Sequence, residues 1–293
     1  MQDAINKAEA LVEAHQYIRR FENKIVVVKV GGSIMDDPDA LRGLVQDVCF
    51  MDAVGMRPIL VHGGGKSITE AMQKAGLEAQ FVQGRRYTDE RTLAIAERVL
   101  VTEVNKTICG HIEEFEHWPI GLHSLASCVV FAKRLFLSSQ DGSGRKIDIG
   151  QVGDVEWVNA PLLKALVEAE YIPVIAPIAR DAAGSKLNVN ADSVAGHVAA
   201  AVKAEKLVLV SDTHGIRTGP GDDTLARHLT KTQIDAHVAD GTIGAGMLPK
   251  VEAAFTALEA GVTKAHIIDG RIPHSLLLEV YTDSGIGTEI VLG

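Results

Sequence analysis

The sequence predicts an α/β chain built on a parallel sheet with helices on both faces. Three observations carry that reading: short valine-rich apolar runs recur, they stop on turns rich in glycine or small polar residues, and each is followed by a stretch with helical apolar spacing. The first run, KIVVVKVGGS at 24–33, has the β-branched density of a strand buried on both sides, and the Gly31-Gly32 pair is the turn that leaves it. Glycine has no Cβ to hold a ligand away, so backbone amides at such a turn can converge on an anion. PILVHGGGK at 58–66 repeats the device with three glycines. Two such loops at neighbouring strand ends would line one crevice.

Each element can be justified in order. Residues 4–21 place Ile5, Ala8, Leu11, Val12, Ile18 and Phe21 on one helical stripe, which either covers the sheet or offers an apolar face to a partner subunit. Asp37-Pro38 caps and opens a helix with Leu41, Leu44, Val45 and Val48 turned inward, ending near Gly55. After the strand that ends on His62, Ser67-x-x-Glu70 has the spacing of a capping box, so a helix through Ala75 is expected directly after the glycines. Residues 81–88 form a turn-rich link carrying Arg85 and Arg86, and a helix is expected over 89–108 with Leu93, Ala96, Leu100 and Val104 buried. The pattern is weakest from 120 to 153, where 128–132 reads as a strand, 140–146 as an exposed loop, and the whole as short strands or a hairpin.

Asn159 opens the next helix, and 171–178 is a buried strand. The second half repeats the alternation. Residues 188–202 begin NVNAD and become a helix, 206–210 is a strand ending on Ser211-Asp212, and Thr230-x-x-Gln233 caps a helix finishing at Gly241. Residues 246–259 form a helix that tolerates Pro249 in its first turn, and 265–268 is the next strand. No linker rich in Pro, Gly or Ser divides the halves, and no repeat occurs at a period of 20 to 50 residues.

Bulk properties narrow the function. A chain of 293 residues with 46% apolar and 4% aromatic side chains buries a sizeable core of helices over a sheet. A formal charge of −9 and a pI near 5.7 argue against nucleic acid as a partner, since binders of polyanions present a basic face. Cys49, Cys109 and Cys128 have no metal-ligand or disulfide spacing, so no metal site is implied, and a reducing, cytoplasmic compartment is expected. No apolar run reaches the roughly 20 residues of a membrane span, and the amino terminus has no apolar signal core, so neither membrane insertion nor export is expected.

The residues that could carry chemistry begin with Lys29, two positions before the glycine pair, and Lys250, in GAGMLPK at the opening of a helix. Both have the alternative reading of a solvated surface charge. Walker spacing is absent, because GGGKS at 63–67 is too short, and no Rossmann fingerprint occurs. Asn188, Asn190 and Asp192 alternate before a helix, where caps explain one or two of them. Arg86 can fork onto a carboxylate; its neighbour Arg85 can equally sit in water.

The motifs KVGGS, LVHGGGKSI, FVQGRRYTDE, NVNADS, LVSDTHGI, GAGMLPKVEAA and HIIDGRIPHSLLLEVYTDSGIGT occur in an order that resembles the acetylglutamate kinases of the amino acid kinase family, from about residue 4 to the end. The resemblance implies a three-layer αβα sandwich with an open, mainly parallel central sheet. It divides the chain into an amino-terminal helix for oligomerisation and regulation (1–22), an acyl-acceptor lobe (23–180) and an ATP lobe (181–293). The implied reaction is ATP- and Mg²⁺-dependent phosphorylation of the γ-carboxylate of N-acetyl-L-glutamate in arginine biosynthesis.

Carried over by position, Lys29 and Lys250 look like transition-state lysines and Asp192 like the carboxylate that organises them. Gly64, Gly65, Arg86, Asn188 and Asn190 resemble acceptor contacts. Gly31, Gly32, Asp212, Gly215, Gly244 and Gly246 fall on the nucleotide side, where 212–217 and 242–244 resemble the nucleotide-side loops. The extension at 4–21 resembles that of arginine-inhibited hexamers assembled as trimers of dimers, which makes L-arginine an expected inhibitor and His266, Glu279, Gly285 and Gly287 its expected site. Four places depart from the family pattern: HSLASCVV follows Gly121-Leu122 where an SGKDG-like segment is usual, the loop 138–146 is unusual, Thr213-His214 replaces a Val-Pro-like pair, and Arg85 replaces an apolar residue.

Overall fold

The computed structural model describes residues 1–139, 143–219, 221, 224–244, 246–282 and 285–293. The expected loop at 140–146 therefore lies partly outside the described residues, at 140–142, as do Ala245 of the GAGMLPK motif and positions 283–284 of the last motif.

The valine run Ile25–Val30 forms β1 in the interior of an eight-stranded sheet. Across the sheet the order is β12 (His228–Thr230), β14 (Thr288–Val291), β13 (Lys264–Asp269), β11 (Lys206–Ser211), β1, β2 (Arg57–His62), β8 (Tyr171–Ile175) and β5 (Trp118–Leu122). From β13 to β5 every pairing is parallel; β14 runs antiparallel to β13, and β12 follows β14. A short ribbon, β3 (Phe81–Val82) with β4 (Arg85–Arg86), carries the two arginines. Strands β6 (Val130–Ser138), β7 (Lys146–Val158), β9 (Ile178–Arg180) and β10 (Lys186–Val189) close on one another in a ring beside the main sheet.

Side chains alternate across the sheet and build two cores. Val27, Ile59, Val61, Leu207 and Leu209 face helices α6 (Ala160–Glu168), α7 (Ala191–Val202) and α9 (Leu248–Glu259). Val26, Val28, Leu60, Val208 and Val210 face α2 (Pro38–Ala53), α3 (Gly65–Lys74), α4 (Glu90–Glu97), α5 (Lys106–Glu114) and α10 (Ser275–Val280). Helix α8 (Lys231–Ala239) carries the Thr230–Gln233 capping box, and Asp37 and Asn159 cap α2 and α6 through their side chains.

Several expected elements differ. The strand expected over 171–178 splits, because Pro177 has no N–H to continue the ladder; the chain leaves the main sheet after Ile175 and re-pairs in the ring from Ile178. The helix expected over 89–108 runs on to Glu114, with Arg98–Asn105 wound as a π-helix. Asn188 lies in a strand that ends at Val189, and the helix starts after it with Asn190 as cap. The capping box at Ser67 does not form. Ser67 is already the third residue of α3, whose first turn closes by the Ile68 amide donating to the Gly64 carbonyl at 2.9 Å. The amides of Gly65, Lys66 and Ser67 are thereby left without intrahelical partners at the glycine loop.

Helix α1 (Gln2–Phe21) covers the body only with its last turns, through Tyr17 and Phe21. Ile5, Leu11 and Val12 are 42%, 68% and 76% exposed, so the sheet-covering reading fails for most of the stripe. No helix among the described residues is long and apolar enough to cross a membrane.

Candidate active site

The carboxyl ends of β1, β2, β11 and β13 meet the amino ends of α3, α7 and α9, an arrangement that gathers backbone N–H groups and the positive ends of helix dipoles. Lys29 lies one residue from the end of β1, Asp192 in the first turn of α7, and Lys250 in the first turn of α9. The Asp192 carboxylate bridges them: Lys29 Nζ is 2.9 Å from Oδ1 and Lys250 Nζ is 3.9 Å from Oδ2. Lys29 and Asp192 are buried, and Lys250 is half-buried. Burial pushes Asp192 up, yet the two ammonium groups outweigh it and hold the carboxyl below the usual carboxylate range. Asp192 is thus an anionic strut and unsuited to taking a proton.

Two glycines explain how the sequence assembles this trio. A Cβ on Gly31 would land on the Lys29 ammonium, so the bare backbone gives that side chain its space. In α7, a Cβ on Gly196 would meet the Ala253 carbonyl oxygen of α9 at 2.6 Å and its Cα at 2.9 Å. Asp192 lies one turn before Gly196 and Lys250 one turn before Ala253, so the close crossing of these helices brings the carboxylate to the second lysine.

On one side of the trio is a cleft of about 220 Å³ lined by Lys29, Gly64, Gly65, Arg85, Arg86, Asn188, Asn190 and Asp192. Arg86 donates to the Gly65 carbonyl and to Thr69 Oγ1, both at 2.8 Å, and lies over the Phe81 ring. Burial lowers its pKa, and it has no carboxylate partner among the described residues. A half-buried cation left in that state is a receptor for an anion. Asn188 donates to Thr88 Oγ1 at 3.2 Å, while the Asn190 side chain caps α7 by accepting from the Ser193 amide. Arg85 lines the same cleft and is half-buried, so the reading that leaves it in water does not hold.

Asp212, Gly215 and Gly244 line a second cleft of about 360 Å³ together with His214, Met247 and Arg271. A third hollow, also about 360 Å³, joins the two, since it shares Gly64 and Gly65 with the first and Asp212 with the second and adds Gly32. The three hollows adjoin one another; Lys29 and Asp192 line the first of them, and Lys250 reaches Asp192 from α9. Gly31 and Gly246 are not among the residues lining these hollows. No group of three His, Cys, Asp or Glu side chains able to hold a metal occurs among the described residues. A lone carboxylate such as Asp212 beside glycine-lined hollows fits a divalent ion that arrives on a nucleotide.

His266, Glu279, Gly285 and Gly287 come together in a separate hollow of about 280 Å³ at the amino ends of β11 and β13. Glu279 accepts from the Ile286 and Gly287 amides at 2.7 and 2.9 Å and pairs with His266 Nδ1 at 2.5 Å. Burial raises it, and these partners outweigh burial and lower it. Tyr17, Arg20 and Phe21 of α1 form one wall. Lys206, whose pKa burial lowers, lies 5.0 Å from the Phe21 ring centre.

Sequence reasoning missed several groups here. Asp269 is buried and takes Arg271 Nε at 2.9 Å and His214 Nδ1 at 3.0 Å, so the unusual His214 forms part of the wall of the second cleft. Ser124, in the atypical segment, donates to Glu97 Oε1 at 2.5 Å, and Lys186 reaches Glu97 Oε2 at 2.7 Å. Gly196, Leu100 and Lys206 carried no motif; only their spacing relative to Asp192, Gly64 and Phe21 in three dimensions gives them a role.

Comparison with known proteins gives a consistent result. The model of the amino acid kinase family matches residues 24–269. An acetylglutamate kinase of Symbiobacterium thermophilum is 44% identical over 99% of this chain and 99% of its own length, and one from Methanocaldococcus jannaschii is 43% identical over 99% and 98%. Among solved structures, an N-acetylglutamate synthase from Neisseria gonorrhoeae, complexed with coenzyme A and N-acetyl-glutamate, superposes with a TM-score of 0.84 at 25% identity. That match covers 97% of this chain but spans only 63% of the synthase.

Proposed function

The chain belongs to the amino acid kinase family, and from that premise we propose that this kinase transfers the γ-phosphoryl group of ATP to the γ-carboxylate of N-acetyl-L-glutamate, yielding N-acetyl-L-glutamyl 5-phosphate in arginine biosynthesis. The observation that carries the reading is the Lys29–Asp192–Lys250 bridge at the wall of an anion-receiving cleft, which a hollow sharing Gly64, Gly65 and Asp212 joins to a second, glycine-containing cleft. The full-length identity to acetylglutamate kinases supports the choice of acceptor.

The chemistry follows from the charges. A carboxylate nucleophile is ionised at pH 7, so no general base is needed, and the lowered pKa of Asp192 fits a strut. Two anions must approach one another, and charge must spread over the oxygens of the phosphoryl in transit. Lys29 and Lys250 supply positive charge on either side of that position, and the free amides of α3 add hydrogen bonds without reorganisation. Arg86 takes the α-carboxylate of the acceptor, with Gly64, Gly65, Asn188 and Asn190 around the rest. Loops 212–217 and 242–244 take the nucleotide. Mg²⁺ bound with ATP supplies neutralisation of the phosphates, with Asp212 as the carboxylate placed to meet it.

Regulation belongs to the same proposal. The hollow around His266 and Glu279 combines cations (Arg20, Lys206, Arg227, Lys264) with buried or half-buried carboxylates (Glu279, Glu289), which suits a zwitterion with an extra positive group. L-arginine is the inhibitor proposed for it, with Gly285 and Gly287 beside its carboxylate. The exposed stripe of Ile5, Leu11 and Val12 is proposed to join dimers into a hexamer, and the cytoplasm is the proposed compartment.

A coupled ADP-release assay with N-acetyl-L-glutamate, L-glutamate and L-aspartate tests the acceptor. Turnover with the acetylated acid at rates well above the other two is expected. Release driven equally by aspartate or glutamate, or no release at all, would overturn the reading.

A further inference from the structure

We propose that the π-helical turn Arg98–Asn105 sets the triple-glycine loop, with Asn105 and His62 as positioning residues that aim the Gly64 amide into the acceptor cleft. The inference rests on the reading of that cleft as the phosphoryl-acceptor site, and it begins with helix geometry. In an α-helix residues five apart point about 140° away from each other, at about 100° per residue. In a π-helix the repeat is i to i+5, so they share a face. Leu100 and Asn105 are five apart: Leu100 packs against Gly64 of the loop that follows β2, and Asn105 bonds to His62, the residue that leads into it. Leu100 lines the cleft and fills the space a Cβ on Gly64 would need, at 2.6 Å.

Asn105 acts through His62, the fully buried last residue of β2. Asn105 Nδ2 is 2.9 Å from the Val174 carbonyl and 3.2 Å from His62 Nε2, while His62 Nδ1 is 2.9 Å from the Gly63 carbonyl. Both ends of this chain are carbonyl oxygens, which only accept, so every proton is determined. Asn105 donates to Val174 and to Nε2, and Nδ1–H donates to Gly63. The imidazole must be neutral, because a second ring proton would face an NH₂ group. Burial agrees, pushing the His62 pKa down to about 4. Around the chain, Cys109 Sγ donates to Asn105 Oδ1 at 3.7 Å, and His123, whose own pKa burial lowers, is the titratable neighbour that acts on His62 and lowers its pKa further. A Cβ on Gly121 would land on Asn105 Oδ1, so that glycine makes the room.

The consequence for the site follows from peptide planarity. The Gly63 carbonyl and the Gly64 N–H belong to one trans peptide and point in opposite directions. Turning the carbonyl inward to His62 turns the Gly64 amide outward, to the cleft that Gly63, Gly64 and Gly65 line.

The test uses full-length protein and four variants. In wild type, ¹⁵N NMR of His62 without substrate is expected to show the neutral Nδ1–H tautomer from about pH 5.5 to 8. Asn105→Asp replaces the donor by a carboxylate, which favours a doubly protonated ring that donates to both sides. The His62 titration is then expected to rise into the neutral range, with the Gly64 amide shift following it and kcat falling about 10-fold as pH rises through it. Asn105→Leu is expected to lower kcat at least about 10-fold with the KM for ATP within twofold, and His62→Asn, which keeps a donor near the Nδ1 position, to retain more activity than His62→Leu. An Nε2–H tautomer in wild type, or a Gly64 amide that ignores His62 in Asn105→Asp, would overturn the inference. The NMR readouts need no acceptor, so a wild-type enzyme inactive on N-acetyl-L-glutamate would contradict the proposed reaction and leave the tautomer result to stand or fall alone.

Discussion

Strands β11 and β13 each reach into two hollows. At their carboxyl ends Ser211 leads to Asp212, and Asp269 holds Arg271 and His214 around the nucleotide-side cleft. At their amino ends Lys206, Lys264 and His266 face Glu279 and Glu289. A six-residue strand separates them by about 17 Å. At the carboxyl ends positive potential comes from the fixed starts of α3, α7 and α9, and the side chains add two lysines steadied by Asp192. At the amino ends those helix starts are absent, and charge is supplied by side chains of both signs. The first design suits a transferring phosphoryl group; the second suits a charged amino acid. One pair of strands can serve both because a parallel sheet exposes different backbone and helix ends at its two edges.

The comparison is broken most severely at the trio. Lys29→Ala or Lys250→Ala is expected to lower kcat at least about 100-fold, the scale for one preorganised charge-stabilising group, with little change in thermal unfolding for Lys250→Ala. Near-normal turnover in steady-state assays would remove that lysine from the mechanism. Next comes Arg86→Ala, for which the acceptor KM is expected to rise about 10- to 100-fold with the KM for ATP unchanged, since a charged hydrogen-bonded contact is worth about 1.5–3 kcal/mol. At the other hollow Glu279→Gln is expected to abolish inhibition by millimolar L-arginine while leaving uninhibited kcat within about twofold. Equal inhibition of wild type and variant would place the effector elsewhere.

The smallest effect is on stability. Glu279 titrates below its ordinary 4.5 in the folded chain, so its contribution is complete above about that pH and is lost as pH falls further. Between pH 6 and 3, wild type should lose more unfolding free energy than Glu279→Gln in denaturant titrations. Parallel losses would mean that the His266 pair and the two amide bonds do not stabilise the ionised form.

The alternation of strand and helix was legible because both periods leave direct marks: paired valines for β1 and β11, and the Asp37, Asn159 and Thr230 caps for their helices. Boundaries failed where one residue overrides the pattern. Pro177 ends a strand that hydropathy would continue, and Gly64 starts α3 before Ser67 can cap it. The π turn left no signal, since its apolar residues satisfy α spacing equally well up to Val104. At the site, Lys29 and Asp192 stood beside recognisable turns, but that Lys250 meets them rested on the resemblance alone; its physical cause, the close crossing at Gly196, is a contact between segments nearly 60 residues apart. Lys206 and Arg20 were invisible for the same reason.

The central claim is that Lys29 and Lys250, held by Asp192, stabilise the phosphoryl in flight more than the bound substrates. It is tested most directly by calorimetric binding of MgADP with aluminium fluoride and N-acetyl-L-glutamate, a mimic of that state, against MgAMP-PNP. The account predicts that Lys29→Ala and Lys250→Ala each weaken binding of the mimic at least about 100-fold and that of MgAMP-PNP only a few-fold. Equal weakening of both ligands, or none of either, would contradict it.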